Sequence, residues 1–185
     1  MHKSDFTDET LLNKFLDGDI SAFEEIVARY QKPVINFIYR MIGDFHEAED
    51  LAQNVFIKLY KRADTFKGSS RLSTWLFSIA VNLCIDKKRV ESRREFVSLD
   101  DEVIEIQSDS ISPDTRAENS EIAQFIEEAI LSLDEEKRAA IVMREYHSMS
   151  YEKIARSLGC SVGSVKSRLH KARKQLRSKL AFLLD

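Results

Sequence analysis

The sequence predicts an all-α protein of two small helical domains joined by a flexible linker, with a helix-turn-helix in the second. Three observations predict it. Glycine and proline are sparse, five and two in 185 residues, so little punctuates long helical runs. Apolar residues recur three and four positions apart along most of the chain. The stretch 96–116 loses that period, turns acidic and serine-containing, and closes on Ser112-Pro113, the signature of a linker. The domains are therefore placed at 1–95 and 117–185.

Leu11, Leu12, Phe15 and Leu16 mark a short first helix, broken by Gly18 and Asp19. Ser21 and Glu24 have the spacing of a capping box. From there Phe23, Ile26, Val27, Tyr30, Val34, Phe37, Ile38 and Met41 form one stripe, ended by Gly43 and Asp44. Pro33 lies inside it and predicts a kink or a junction of two helices, since its ring crowds the preceding turn. A helix over 46–62 buries Ala48, Leu51, Ala52, Val55, Phe56 and Leu59. After the loop 64–71, another buries Leu72, Leu76, Ile79, Ala80, Leu83 and Val90, ending near 94. Trp75, between Leu72 and Ile79, belongs to the core.

In the linker, Val103-Ile104-Glu105-Ile106 alternates like a strand but reads as a segment that docks transiently or stays mobile. The second domain opens with a helix at 117–131. Ser132 and Glu135 form a second capping box before Ala139, Ile141, Val142 and Met143. A helix over 151–158 presents Ile154, Ala155 and Leu158, and Gly159 ends it with a left-handed residue. Ser161 caps a last helix, with Val162, Val165, Leu169, Ala172, Leu176 and Leu180 inside. Two such helices about a glycine turn form a helix-turn-helix, whose second helix enters the major groove of DNA.

Charge is segregated. Residues 1–57 carry net −6, 58–95 net +6, 96–150 net −10 and 151–185 net +7. Two basic blocks between acidic ones predict two contacts with a polyanion, and acidic surfaces that avoid it or meet a protein. No apolar run reaches the roughly 18 residues of a membrane span. The start MHKSDFTDET lacks the apolar core of a secretory signal. Cys84 and Cys160, 76 residues apart, imply no disulfide framework and fit a reducing compartment. His46, His147 and the cysteines lack metal-ligand spacing. Nucleophile elbow, phosphate loop and metal cluster are all missing, so neither an enzyme nor a cofactor is expected.

At 100° per residue, Gly163, Ser167, His170, Lys171 and Lys174 lie opposite Val165 on the last helix, with Lys166 and Arg177 at the margins. Cations for phosphates and short polar groups for base edges suit a duplex. Ser167, His170 and Lys171 are assigned to bases; Lys166, Arg168 and Lys174 mainly to phosphates.

The whole pattern, 9–182, resembles the bacterial extracytoplasmic-function (ECF) sigma factors, the smallest members of the sigma-70 family. VGSVKSRLHKARKQL resembles their −35 recognition helix, which implies contacts by Lys166, Ser167, Arg168, His170 and Lys171. The helical wheel agrees except at Arg168, which it places nearer the side. HEAEDLAQNVFIKLY resembles the helix that docks on the polymerase clamp, with the polar face Glu49, Asp50, Gln53 and Asn54. Asn54 stands where the family more often has an acid. DTFKGSSRLSTWLFSIAVNLCIDKKR resembles the −10 reading and melting segment. Its loop Phe66, Lys67, Gly68, Ser69, Ser70 and Arg71 bends at glycine and offers hydroxyls and cations to an extruded base. Asn82 and Asp86 share a helical face, with Lys87, Lys88 and Arg89 as phosphate partners. Phe66 serves either as a stacking platform or as core.

The resemblance implies an alternative sigma factor that binds core RNA polymerase and promoter DNA, captures the −10 strand, and acts in the cytoplasm. It further implies a separate anti-sigma partner, soluble or holding the chain near the inner face of the membrane, and a monomer outside such complexes. The rival is a dimeric repressor or activator, which reads two symmetric half-sites without polymerase.

Overall fold

The computed structural model describes residues 6–66, 68, 70–97 and 120–183. In chain order the helices are α1 (Asp8–Leu16), α2 (Ile20–Ile42), α3 (Phe45–Arg62), α4 (Leu72–Val97), α5 (Ser120–Leu131), α6 (Glu135–Ile141), α7 (Tyr151–Ser157) and α8 (Val162–Lys179). A 3-10 turn, Ala63–Thr65, follows α3, and a π turn, Val142–Tyr146, continues α6. The described residues contain no strand. The alternating segment 103–106, with most of the proposed linker, falls outside them.

The first domain forms because α1, α2, α3 and α4 share one apolar centre. Ile26, Val34, Phe37 and Ile38 of α2 meet Val55 and Leu59 of α3 and Leu76 and Ala80 of α4, all fully buried. Asp44 starts α3 by accepting from the Glu47 amide at 2.9 Å. Gly43, at φ +84°, ends α2 as the left-handed residue its last turn requires. In the second domain Ile141, Met143, Ile154, Val165 and Leu169 form the buried centre.

Several local expectations change. Pro33 lies inside one continuous α2, with no junction; the packing of Val34, Phe37 and Ile38 holds the helix through the lost hydrogen bond. The cap of α2 is Asp19, which accepts from the Ser21 amide at 3.0 Å, not Ser21. Likewise Asp134, not Ser132, caps α6, because Ser132 is spent donating to the Ala129 carbonyl. In α4, Phe77, Val81 and Cys84 are buried while Ile79 and Leu83 are only partly so. The helix lies between α2 and α3 on one side and α7 on another, so its apolar surface is wider than one stripe. Val90 and Leu16 are exposed, and α4 runs on through Val97, into the stretch read as linker. Trp75 packs against the core as expected.

Candidate nucleic-acid interface

The turn into α8 is built from local hydrogen bonds. Ser150 caps α7 by accepting from the Lys153 amide. Gly159, at φ +59°, turns the chain, and the Cys160 amide returns to the Ala155 carbonyl at 3.0 Å. Ser161 then accepts from the Ser164 amide at 3.0 Å and starts α8. Val165, Leu169 and Ala172 are buried and fix the helix against α6 and α7. Removing one such leucine side chain costs about 2–5 kcal/mol, so the outward face is held firmly.

That face carries Lys166, Ser167, His170, Lys171 and Lys174, all exposed. Arg168 differs. Its side chain is 19% exposed, its Nη2 lies 2.6 Å from Glu136 Oε2 on α6, and its Nη1 donates to Cys160 Sγ at 3.1 Å. The helical wheel placed it at the side, and the structure agrees: this guanidinium ties α8 to α6 and to the turn. Glu136 was not singled out from sequence. The available signal was Arg168's off-face angle, which calls for an acid on a neighbouring helix. Arg173 is similarly held by Glu145 at 2.8 Å. Arg168→Ala is expected to lower unfolding stability by about 1 kcal/mol, because Glu136 is mostly exposed, and to weaken matched and mismatched promoters alike. Denaturant melts with competition binding check both; a loss confined to one base position would make Arg168 a base reader.

The second basic surface lies on α4. Asn82, Asp86 and Arg89 are exposed at successive turns, with Asp86 and Arg89 3.6 Å apart. Lys87 is engaged elsewhere, 2.6 Å from Glu47 of α3 and 3.0 Å from Glu91. Partial burial disfavours its charge, but these two hydrogen bonds outweigh that and raise its pKa. It serves to join α4 to α3. Lys88 is half-buried. In the preceding loop Gly68 has φ +66°, with open space where a side chain would point. Arg71 is exposed and Ser70 half-buried, whereas Lys67 and Ser69 lie outside the described residues. Phe66 is partly buried, its ring 5.4 Å from Trp75, so the core alternative describes it and it anchors the loop.

On α3 the buried side is Ala48, Ala52, Val55, Phe56 and Leu59. Asp50, Gln53 and Asn54 are exposed on the other; Glu49 is half-buried, and the Asn54 side-chain Nδ2 donates to the Asp50 backbone carbonyl at 3.1 Å. Ile57 and Tyr60 continue the face and are about half exposed. They were missed because an apolar residue in a helical pattern reads as core.

A capped, cationic helix-turn-helix with a second basic surface on a separate helical domain defines a DNA-binding transcription protein. Comparison with known proteins specifies it. The family description Sigma-70 region 2 matches residues 26–94, and that of Sigma-70, region 4 matches residues 124–176. The chain is 36% identical over 172 residues to the ECF RNA polymerase sigma factor SigW of Bacillus subtilis, covering 88% of this chain and 91% of that one. It is 34% identical over 186 residues to the ECF RNA polymerase sigma-E factor of Escherichia coli K12, covering 96% of each. In structure it is similar to the sigma factor RpoE of Bartonella quintana, solved with the anti-sigma factor NepR. There the TM-score is 0.72 at 29% identity, over 86% of this chain and 96% of that one. The fold is also that of CnrH, solved with the cytosolic domain of CnrY, with a TM-score of 0.67 at 23% identity over 94% and 97%. The chain belongs to the sigma-70 family, as an alternative sigma factor of the ECF group that directs promoter-specific transcription initiation.

Proposed function

We propose that the two domains divide the work of initiation. The first, 1–95, holds core RNA polymerase through the α3 face Glu49, Asp50, Gln53 and Asn54. It takes the opened −10 strand with the 66–71 loop and with Asn82, Asp86, Lys88 and Arg89 of α4. The second, 117–185, grips duplex −35 DNA with Lys166, Ser167, His170, Lys171 and Lys174, and 96–116 spans the distance between. The observation that carries this reading is the exposed cationic face of α8, on a helix whose opposite side is locked into a core. The free energy of strand opening comes from exchanging base stacking for polymerase and strand contacts. The solved complex of the similar sigma factor RpoE with the anti-sigma factor NepR supports a separate anti-sigma partner for this chain as well. Its place of action is the cytoplasm, beside polymerase and chromosome, and near the inner face of the membrane when its partner is anchored there.

The test is transcription by purified core polymerase plus this protein, from templates carrying both promoter elements or either alone. Transcripts should require polymerase and both unlike elements. Binding of a protein dimer to symmetric half-sites without polymerase would favour the rival regulator. In the same assay, Lys67→Ala with Ser69→Ala should slow duplex opening on the order of tenfold, the worth of one charge-assisted hydrogen bond, while sparing a template already open at −10. Permanganate reactivity at −10 reads this out, and equal losses on both templates would remove the loop from melting.

A further inference from the structure

The first domain holds one cation of its basic run away from the DNA surface. Lys87 opens the run Lys87-Lys88-Arg89 of α4, yet its side chain is only 26% exposed. Its Nζ lies 2.6 Å from Glu47 Oε1 of α3 and 3.0 Å from Glu91 Oε1, one turn further along α4. An ammonium between two carboxylates leaves the group net negative, so while held there it offers a phosphate no attraction. Its place on the helix accounts for the inward turn. At 100° per residue Lys87 projects about 140° from Asn82, whereas Asp86 and Arg89 lie within about 40° of it. The exposed −10 face and the held cation therefore occupy well-separated flanks of one helix.

The other end of the contact lies on the docking helix. Glu47, Asp50 and Asn54 stand at i, i+3 and i+7 on α3, one stripe turned away from buried Ala48, Ala52 and Val55. Glu47 thus begins the stripe that carries the docking residues and reaches across to α4. Its backbone is fixed as well, because its amide donates to the Asp44 cap at 2.9 Å. Apolar packing holds α3 on α4 without regard to direction. A short charge-assisted hydrogen bond has a preferred length and line, so this pair sets how far α4 is rotated as seen from α3. Both carboxylates are nearly half exposed, and pairs so exposed add little to folding stability. Orientation is what the pair contributes.

We infer that Glu47, Lys87 and Glu91 are positioning residues for −10 strand capture: they set the rotation of α4 so that Asn82, Asp86 and Arg89 face the strand when α3 is docked on polymerase. The inference rests on the docking and −10 assignments proposed above. It gives Lys87 a part that needs no contact with DNA, and Glu47 a part that needs none with polymerase. The competing role is a phosphate donor held in reserve, which Glu47 would restrain. The two roles differ in sign. Loss of the Glu47 charge releases a reserve donor and strengthens DNA binding, but it unfastens a positioning pair and weakens that binding.

The experiment is binding of a promoter template already open at −10 by the full chain on saturating core polymerase, with melts by circular dichroism alongside. Lys87→Met and Glu47→Gln should each weaken capture about tenfold, within the range of coupled contacts. The salt slope should not change, and the two substitutions together should be no worse than either. Lys87→Arg, which keeps the charge and the reach, should stay close to the wild type. Tighter capture by Glu47→Gln, or wild-type capture by both variants, overturns the inference. A salt slope lowered by about one in Lys87→Met makes that residue a phosphate contact instead. Should Lys87→Met fail to fold, Glu47→Gln decides alone. A second readout needs no DNA: the distance between spin labels at Lys61→Cys of α3 and Val90→Cys of α4, both exposed, in the polymerase-free full chain with Cys160→Ser. Glu47→Gln should broaden that distance distribution, and an unchanged one overturns the pair's role whatever the template shows. A wild-type holoenzyme that cannot tell the −10 sequence from a scrambled one removes the promoter reading, while the label distances still decide whether the pair sets the helix.

Discussion

Replacing Asp50 by arginine is expected to cut affinity for core RNA polymerase about a hundredfold while leaving helical content unchanged. Asp50 is exposed on α3, and the apolar side of that helix is buried without its help. A substitution so placed moves stability by no more than about 0.5 kcal/mol. An acidic, amide-rich face of this kind calls for cations and amides on its partner, and setting like charges against each other across an interface costs several kcal/mol. Titration of core polymerase with labelled protein, beside circular dichroism, measures both quantities. Wild-type affinity in a folded variant would move the docking surface elsewhere.

The second large effect concerns the division of labour on α8. Lys171 and Lys174 are both exposed opposite Val165, but Lys171 is nearly one turn closer to the Ser161 cap. In helix-turn-helix proteins that end reaches the base edges. Lys171→Ala should therefore lose roughly 1–3 kcal/mol of discrimination against one mismatched −35 position. Lys174→Ala should weaken matched and mismatched promoters equally and reduce the salt slope by about one phosphate contact. Holoenzyme binding to singly substituted promoters across a salt series reads both. If Lys171→Ala lost the same free energy on every promoter, it would become a backbone contact, with the second domain still the −35 module.

The helices were legible because periodicity reports burial directly. The stripe from Phe23 to Met41 and the pattern Val165, Leu169 and Ala172 needed no tertiary information. Helix starts were less so: wherever an aspartate and a serine stand close together, as Asp19 with Ser21 or Asp134 with Ser132, composition cannot say which side chain reaches the free amide. The outward residues of α8 were legible from angle alone. Arg168 was the instructive position, since resemblance and angle disagreed and its Glu136 partner, 32 residues earlier, decided its geometry. Lys87 is a parallel case, because a cation in a basic run gives no hint that Glu47 of another helix will engage it. The packing of one domain on the other was illegible: it joins Arg138 to a backbone carbonyl 97 residues away, and a carbonyl has no sequence signature.

The split on α8 between side chains that hold the helix and side chains that only face outward bears on how such proteins diverge. Ser167, His170 and Lys171 are exposed and carry no ion pair among the described residues, so exchanging them leaves the fold within about 0.5 kcal/mol of where it was. On the proposed reading of these side chains as −35 base contacts, duplicated copies of such a gene are free to drift in promoter preference by single substitutions, each folding as well as its parent. Arg168 has no such freedom, because a new residue there must also release Glu136 and reseat the turn at Cys160. Among descendants, then, variation should concentrate at 167, 170 and 171, and change at 168 should arrive together with change at 136.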